Sequence, residues 1–558
     1  MHYNLVKASN RRYLEALKNR GHEMKPVYDA VNIMQETEWV INKPIYEVIL
    51  SLINTDSSLG HLPTNPQEIE LPVKPVDIET NKESLVKWKR EASLVYKERA
   101  KSKSKYIQVR QIIEEARLLL DRSFFYPYQL DFRGRIYPKP AMLSPQGADY
   151  SRALIKFKYG KQMKENNSFD DFAIAGAGLY GEVDKEDIQT RLDWVKDRLD
   201  TFIGYAKEPL TNTDWAKADK PFCFLAWCFE LKDFAETDYD ASFITTLPIQ
   251  SDCSNSGLQH YSAMMRDEIG GKATNLIPSN KPEDVYRIVA QKVIMKLRDK
   301  TDPMAKQWLE YGIDRKLCKK PVMCLPYSLT QYSCRQYIQD HVEKEWKEKN
   351  KPHNFGRDLF KATNYLTPIV WESINDVIVG AKEIMGFLKK VSRLVASENL
   401  PVCWTTPKPL NFPVQMMCYK KESKRVKTKM GDSIIKLSIQ SDTDEIDKRK
   451  TAQSICPNLI HSLDASCLML AVIKAKDKGV TNFSLIHDSF GCVAPDVHKL
   501  SEAIREAFCE VYEQDVLTNW AMEMKQMLSD KNAKKFPHIP ERGNLDLSLV
   551  KQSIFFCV

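Results

Sequence analysis

Apolar positions recur at helical spacing over residues 24–60, where side chains three and four apart share one face. The stretch from Leu62 to Asp77, rich in proline and ending in an extended segment, reads as a connector. A second helical run extends from about Asn81 to Arg122. The pattern then changes, because FFYPYQLDFRGRIYP is aromatic and β-prone with a glycine between two arginines, and predicts strand and turn. Residues 165–240 return to helical spacing. The apolar segment SFITTLPIQSD predicts a strand ending near Asp252, and TNFSLIHDSFGCVAP predicts a hairpin with HDS near its turn. Between these two lie a mostly helical block, 281–400, and a polar, Lys-rich, hairpin-like insertion at about 419–447. No internal repeat is present. The sum is an α+β fold: a small sheet built from distant segments, with a large helical insertion between its acid-bearing strands.

Length and composition narrow this picture only a little. The 558 residues correspond to three or four domains at roughly 150 residues each. With 43% hydrophobic and 28% charged residues, the chain has the balance of a folded globular protein rather than a disordered or fibrous one. The net charge of +8 is modest for a polyanion binder of this size. Its distribution says more: Lys87, Lys89, Arg90, Lys97, Arg99, Lys101, Lys103, Lys105, Arg110 and Arg117 crowd one helical stretch. That stripe could track phosphates, or be a solvated face partnered by residues such as Glu91 and Glu98. Thirteen cysteines occur without a CxxC pair or a histidine cluster at zinc spacing, which predicts neither a disulfide framework nor a structural zinc and fits a reducing compartment. The N-terminal segment lacks an apolar core of signal-peptide length, and the longest apolar-rich run, near Ala465 to Ile473, is too short to span a bilayer. The expectation is a soluble, cytoplasmic protein with no membrane partner. The basic start keeps a mitochondrial transit peptide open, against which Glu15 and Glu23 count.

Three features carry chemistry. Asp252 ends an apolar strand and Asp488 sits in an apolar hairpin, places where an ionised carboxylate needs a cation or a hydrogen-bond cage. Brought together, the two could hold two magnesium ions about 4 Å apart, an arrangement that activates an attacking hydroxyl and stabilises a leaving pyrophosphate. Alone, each is more readily a turn or capping aspartate. The third feature is DRKLCKKPVMCLPYSLTQY, in which Arg315, Lys319 and Tyr327 fall at i, i+4 and i+12, along one slowly drifting face of a helix. Two cations and an aromatic suit a nucleoside triphosphate, with Lys319 the candidate proton donor to pyrophosphate. An exposed basic helix would give the same pattern.

These segments, in this order, resemble the single-subunit DNA-dependent RNA polymerases of bacteriophages and mitochondria. The resemblance covers nearly the whole chain and is carried by PYQLDFRGRIYP, SPQGADYSRALIKF, PFCFLAWCFE, SDCSNSGLQHYSAMMRDEIGG, the Arg315–Tyr327 segment, WTTPKPLNFPVQ, CPNLIHSLDAS and SLIHDSFG. It implies a right-hand polymerase fold and template-directed transfer of ribonucleoside monophosphates from NTPs to an RNA 3′ end on a DNA template, with two Mg2+ ions. By the same resemblance Asp252 and Asp488 bind metal, with the Cys253 carbonyl a further ligand. Lys319 is implied as general acid, Arg315 and Lys320 as triphosphate contacts, and Tyr327 as the residue near ribose and templating base. His461 is implied to lie near the 2′-hydroxyl, and Arg133 and Arg135 to contact nucleic acid. Repair-type DNA polymerases share the R-x3-K-x7-Y helix, but they carry a Glu five positions after the first acid, where this chain has Gly257, and a Glu after the second, where it has Ser489. Gly257 leaves room for a ribose. A DNA polymerase and a non-catalytic nucleic-acid-binding factor remain the alternatives.

The implied parts are connector helices at 1–36, thumb at 37–121, palm at 122–267 and 462–558, and fingers at 268–461, with 419–447 as a specificity hairpin. The chain departs from the family in two ways. Tyr327 is followed by Ser328 rather than Gly, with Pro321 and Pro326 nearby, where proline should kink or end the helix. The first motif also arrives early, which leads us to expect promoter opening by a separate promoter-recognition subunit or single-strand DNA-binding protein. The apolar C-terminus, IFFCV, is expected to pack near the palm.

Overall fold

The structure, a computed structural model, describes residues 5–8, 10–66, 69–164, 167–349, 351–431 and 433–557. Parts of the predicted N-terminal segment (1–4 and 9), the connector (67–68), the hairpin tip (432) and the C-terminal Val558 lie outside the described residues. Among the described residues helices alternate with six small sheets of two or three strands, and the fold is α+β.

Helix α1 (Lys82–Leu119) starts where the Asn81 side chain accepts from the Glu83 and Ser84 N–H groups, a regular N-cap. Val109, Ile112, Ile113 and Ala116 are buried near its end, whereas Val86, Leu94 and Tyr96 stand exposed, so most of α1 projects from the body with most of its basic residues in solvent, while Arg99 Nε donates to the Ile69 carbonyl. Strands β1 (Tyr128–Leu130) and β2 (Ile136–Pro138) pair antiparallel around the Asp131–Arg135 turn. Strand β3 (Ile249–Asp252) precedes helix α2 (Ser256–Met265), every residue of which is buried. Helix α3 (Arg315–Cys324) opens on Asp314, whose side chain accepts from the Leu317 N–H. The predicted insertion is a two-stranded hairpin, β4 (Tyr419–Met430) with β5 (Ser433–Ile446), almost wholly exposed. Helix α4 (Lys448–Asp477) leads to the hairpin of β6 (Ser484–Ile486) and β7 (Ser489–Cys492).

Two expectations need correction. The helical run over 24–60 is interrupted by a strand, Glu38–Ile41, which pairs with Ile155–Phe157. Its alternating burial at Trp39 and Ile41 is a period of two too short to register inside flanking helical patterns. The apolar run at 465–473 also belongs to a longer element. By length and composition α4 could cross a membrane, with mean hydropathy 1.4 over its most apolar stretch, but 83% of that stretch is buried inside the protein. Its apolar faces are spent on the core.

The sheet that positions the site has the order β6-β7-β3, antiparallel throughout. Asp252 lies opposite Ser489, so segments remote in sequence meet one residue out of step.

Candidate active site

Asp488 stands in the turn joining β6 and β7, where His487 takes a left-handed conformation (φ 56°). The Cys253 N–H donates to the Asp488 carbonyl at 3.2 Å, which ties the turn bearing Asp488 to the end of the strand bearing Asp252. Their environments differ. The Asp252 side chain is 60% exposed, with Lys220 Nζ 3.8 Å away, so only Asp488 is the enclosed acid that the apolar flanks of both predicted. Burial first, then the charges of Asp464 and Asp252, push the Asp488 carboxyl up to about 6. A carboxylate disfavoured by its neighbours in this way gains most from a cation. Two carboxylates with a nearby backbone carbonyl form a hard, oxygen-only donor set, which suits Mg2+ completed by substrate phosphates and water. The residues present therefore fit the metal the sequence implies.

Asp252 opens onto a cleft of about 1370 Å³, whose walls include Lys220, Asp284, Tyr286, Arg315 and Lys319. Lys220 directly precedes the buried helix Pro221–Ala235, whose first N–H groups, those of Phe222 and Cys223, donate to the Asp149 carboxylate. Arg315 bonds Asp284 through Nε and lies over the Tyr286 ring at 5.2 Å; that bond does not use its terminal nitrogens. Burial, then the Arg315 charge, hold the Lys319 ammonium below its ordinary range, which eases loss of a proton. Lys320 is not brought to this wall, and its Nζ lies over the Tyr337 ring at 4.4 Å.

Tyr327 does not continue the helical face of Arg315 and Lys319. The α-helix ends at Cys324, residues Leu325–Tyr327 form a 3-10 turn, and Ser328 is left-handed at φ 65°. Pro326 has no N–H to continue the ladder. The turn swings Tyr327 toward α4, where its ring centroid lies 5.0 Å from that of His461. Beneath it, a Cβ on Gly257 would meet Pro326 Cβ at 3.0 Å and the Tyr327 hydroxyl at 3.2 Å. The space at Gly257 is thus taken up by the close approach of Tyr327, not left as an open vacancy.

The two arginines form a buttress. Arg133 Nε donates to Asp131 Oδ2 at 2.9 Å and Nη1 to His461 Nδ1 at 2.6 Å. An arginine can only donate, so Nδ1 accepts and the imidazole proton sits on Nε2. Burial and the charges of Arg135 and Arg133 push His461 down to about 2, which keeps it neutral. Arg135 Nε donates to Asp464 Oδ2 at 3.1 Å. Asp464 is almost fully buried and sits on α4 one helical turn after His461. Sequence reading missed it, although the i, i+3 spacing in HSLD was available. It also missed Lys220, Asp284 and Tyr286, which only the tertiary fold brings to the cleft. No cluster of three or more His, Cys, Asp or Glu side chains able to hold a metal occurs among the described residues.

Comparison with known proteins adds to this geometry. A family model described as DNA-dependent RNA polymerase matches residues 162–535. The chain is 34% identical over 577 residues to the DNA-directed RNA polymerase of Enterobacteria phage T3, covering 95% of this chain and 64% of that protein. It is 33% identical over 584 residues to the T7 RNA polymerase of Escherichia phage T7, with the same two coverages. It is also 33% identical over 557 residues to the DNA-directed RNA polymerase 2, chloroplastic/mitochondrial, of Arabidopsis thaliana, covering 97% of this chain and 53% of that protein. The chain thus spans less than two thirds of the length of these relatives.

Proposed function

The chain belongs to the DNA-dependent RNA polymerase family, and from that premise we propose that it extends RNA on a DNA template, using ribonucleoside triphosphates and Mg2+. The observation that carries this reading is the pairing of β3 with β7, which brings Asp488 next to Asp252, itself on the wall of a cleft shared with Arg315 and Lys319. The family's right-hand fold is part of the proposal. It takes residues 1–36 as connector, 37–121 as thumb, 122–267 and 462–558 as palm, and 268–461 as fingers with the 419–447 hairpin.

Asp252 and Asp488, with the Cys253 carbonyl, hold the metal. When bound, Mg2+ lowers the cost of ionising the attacking 3′-hydroxyl and neutralises charge on the phosphates. Arg315 orients the triphosphate against the cleft wall. Lys319, held below its ordinary range, delivers a proton to the departing pyrophosphate. Lys320 contributes charge from the next helix face rather than a direct contact. Neutral His461, with its proton on Nε2, faces the ribose beside Tyr327, and Gly257 keeps that pair close. Arg133 and Arg135 stiffen this wall and contact nucleic acid. The exposed basic side chains of α1 and of the β4–β5 hairpin would bear on the DNA backbone.

Primer extension on an RNA–DNA hybrid with Mg2+ tests the reading. Wild type should add ribonucleotides in preference to deoxyribonucleotides, and Asp488→Asn should add neither; a preference for deoxyribonucleotides would overturn it. A separate promoter-recognition polypeptide or single-strand-binding protein, and action in a bacterial host's cytoplasm as a phage protein, complete the proposal. Equal rates on duplex and premelted promoters with this chain alone would remove the need for a partner.

A further inference from the structure

The sulfurs of Cys253 and Cys557 lie 2.9 Å apart. The two residues come from distant parts of the chain and meet as an antiparallel bridge, a pairing that puts Cα atoms about 4.5–5.5 Å apart, within the roughly 4.4–6.8 Å a disulfide spans. Both are free thiols, both line the cleft, and Cys253, the more exposed of the two, directly follows Asp252. We propose that Cys253 and Cys557 form an oxidisable dithiol, whose disulfide reversibly slows nucleotide addition by displacing the Asp252–Cys253 segment. The effect on rate rests on the polymerase reading above; formation of the bond does not.

The oxidant is a small peroxide entering through the cleft. Its O–O bond breaks as the Cys253 sulfur takes one oxygen to become a sulfenic acid, and the first water leaves. The Cys557 sulfur then attacks the Cys253 sulfur, the S–S bond forms, the S–O bond breaks, and the second water leaves with the Cys557 proton. Two thiols are oxidised and one peroxide is reduced to two waters. A dithiol reductant reverses the bond by exchange.

The C-terminal segment is well anchored. Gln259 Nε2 donates to the Phe556 carbonyl at 3.0 Å, Arg505 Nε to the Ser553 carbonyl at 2.9 Å, and Ser553 Oγ to the Asn275 carbonyl at 2.7 Å. Phe556 packs on Phe508 with centroids 5.0 Å apart. Closing the sulfurs to about 2.05 Å against an anchored partner therefore pulls on Cys253 and on its hydrogen bond to the Asp488 carbonyl. Productive geometry at such sites tolerates only about 0.5 Å, and Asp252 shares the displaced segment.

The test uses the full chain, reduced and then exposed to hydrogen peroxide, with remaining thiols alkylated and the protein digested without reduction. A peptide joining Cys253 to Cys557 is expected, with primer extension at least three-fold slower and recovered by dithiothreitol. In Cys557→Ser the ratio of peroxide-treated to untreated rate should return toward one. Absence of the joined peptide overturns the proposal, as does a joined peptide with unchanged extension, or equal peroxide sensitivity in Cys557→Ser. A reduced chain that extends nothing would remove the polymerase reading and the rate effect together, while the joined peptide would still decide whether the dithiol exists.

Discussion

Asp252, the last residue of β3, and Asp488, in the turn that leads into β7, are tied together by the Cys253 N–H, which donates to the Asp488 carbonyl at 3.2 Å. This places one open and one enclosed carboxylate side by side, and the enclosed one is held in a charge state the fold disfavours.

Asp488→Asn should therefore separate activity from stability. Extension should fall at least a thousand-fold, because on the function proposed above Asp488 is a metal ligand. Without Mg2+ at pH 7.5 the variant should be more stable by about 1–3 kcal/mol, the order given by a carboxyl raised from 3.8 to about 6 at roughly 1.4 kcal/mol per unit. A raised acid destabilises the fold above its folded value, and that penalty fades as pH falls toward the ordinary one. The advantage of Asn is complete above about pH 6 and shrinks on going down to pH 5. Urea unfolding at the two pH values measures it.

The acid limb of the rate profile should belong to Asp488 and not to His461, which is already neutral across the working range. Metal competes with the proton on a ligand, so raising Mg2+ should move that limb to lower pH. A limb that ignores Mg2+ concentration would count against Asp488 as a ligand.

Gly257→Ala should lower kcat/KM for ribonucleotides about ten-fold or more, since its Cβ would press on Pro326 and on the Tyr327 hydroxyl at 3.0 and 3.2 Å. Adding Tyr327→Phe removes one of those contacts and should recover part of the loss. A double-mutant cycle reads the coupling, and additive losses would mean the two positions act independently.

Ser328 holds φ 65° with a Cβ, in a region that costs a side-chain-bearing residue roughly 1–2 kcal/mol. Ser328→Gly should be more stable than Ser328→Ala by about 1 kcal/mol in thermal or urea unfolding. The glycine form should keep Tyr327 against His461.

Much of this site was legible in the sequence, and the parts that were not share a physical reason. Asp252, Lys319 and Asp488 stood out because acids and a cation interrupt apolar or helical patterns, and the hairpin around HDS and the insertion at 419–447 followed from alternation and turn residues. The expectation failed where local pattern yields to tertiary packing. Tyr327 leaves the helical face because Pro326 ends the ladder, and the strand at Glu38–Ile41 exists only because Ile155–Phe157 pairs with it. Asp464 stayed hidden since its role comes from Arg135, far away in sequence. Asp252 was expected to be enclosed by its apolar strand, yet it ends that strand at the open cleft.

The β6-β7-β3 sheet also sets the order in which competence arises during synthesis. A growing polypeptide displays Asp252 early, alone and solvated, with no companion acid to repel it. The unfavourable electrostatics of the pair arise only when the hairpin at 484–492 docks, after the helical insertion between them has been made. Ribosomal products halted before that point would carry Asp252 without the acid that the finished sheet sets beside it.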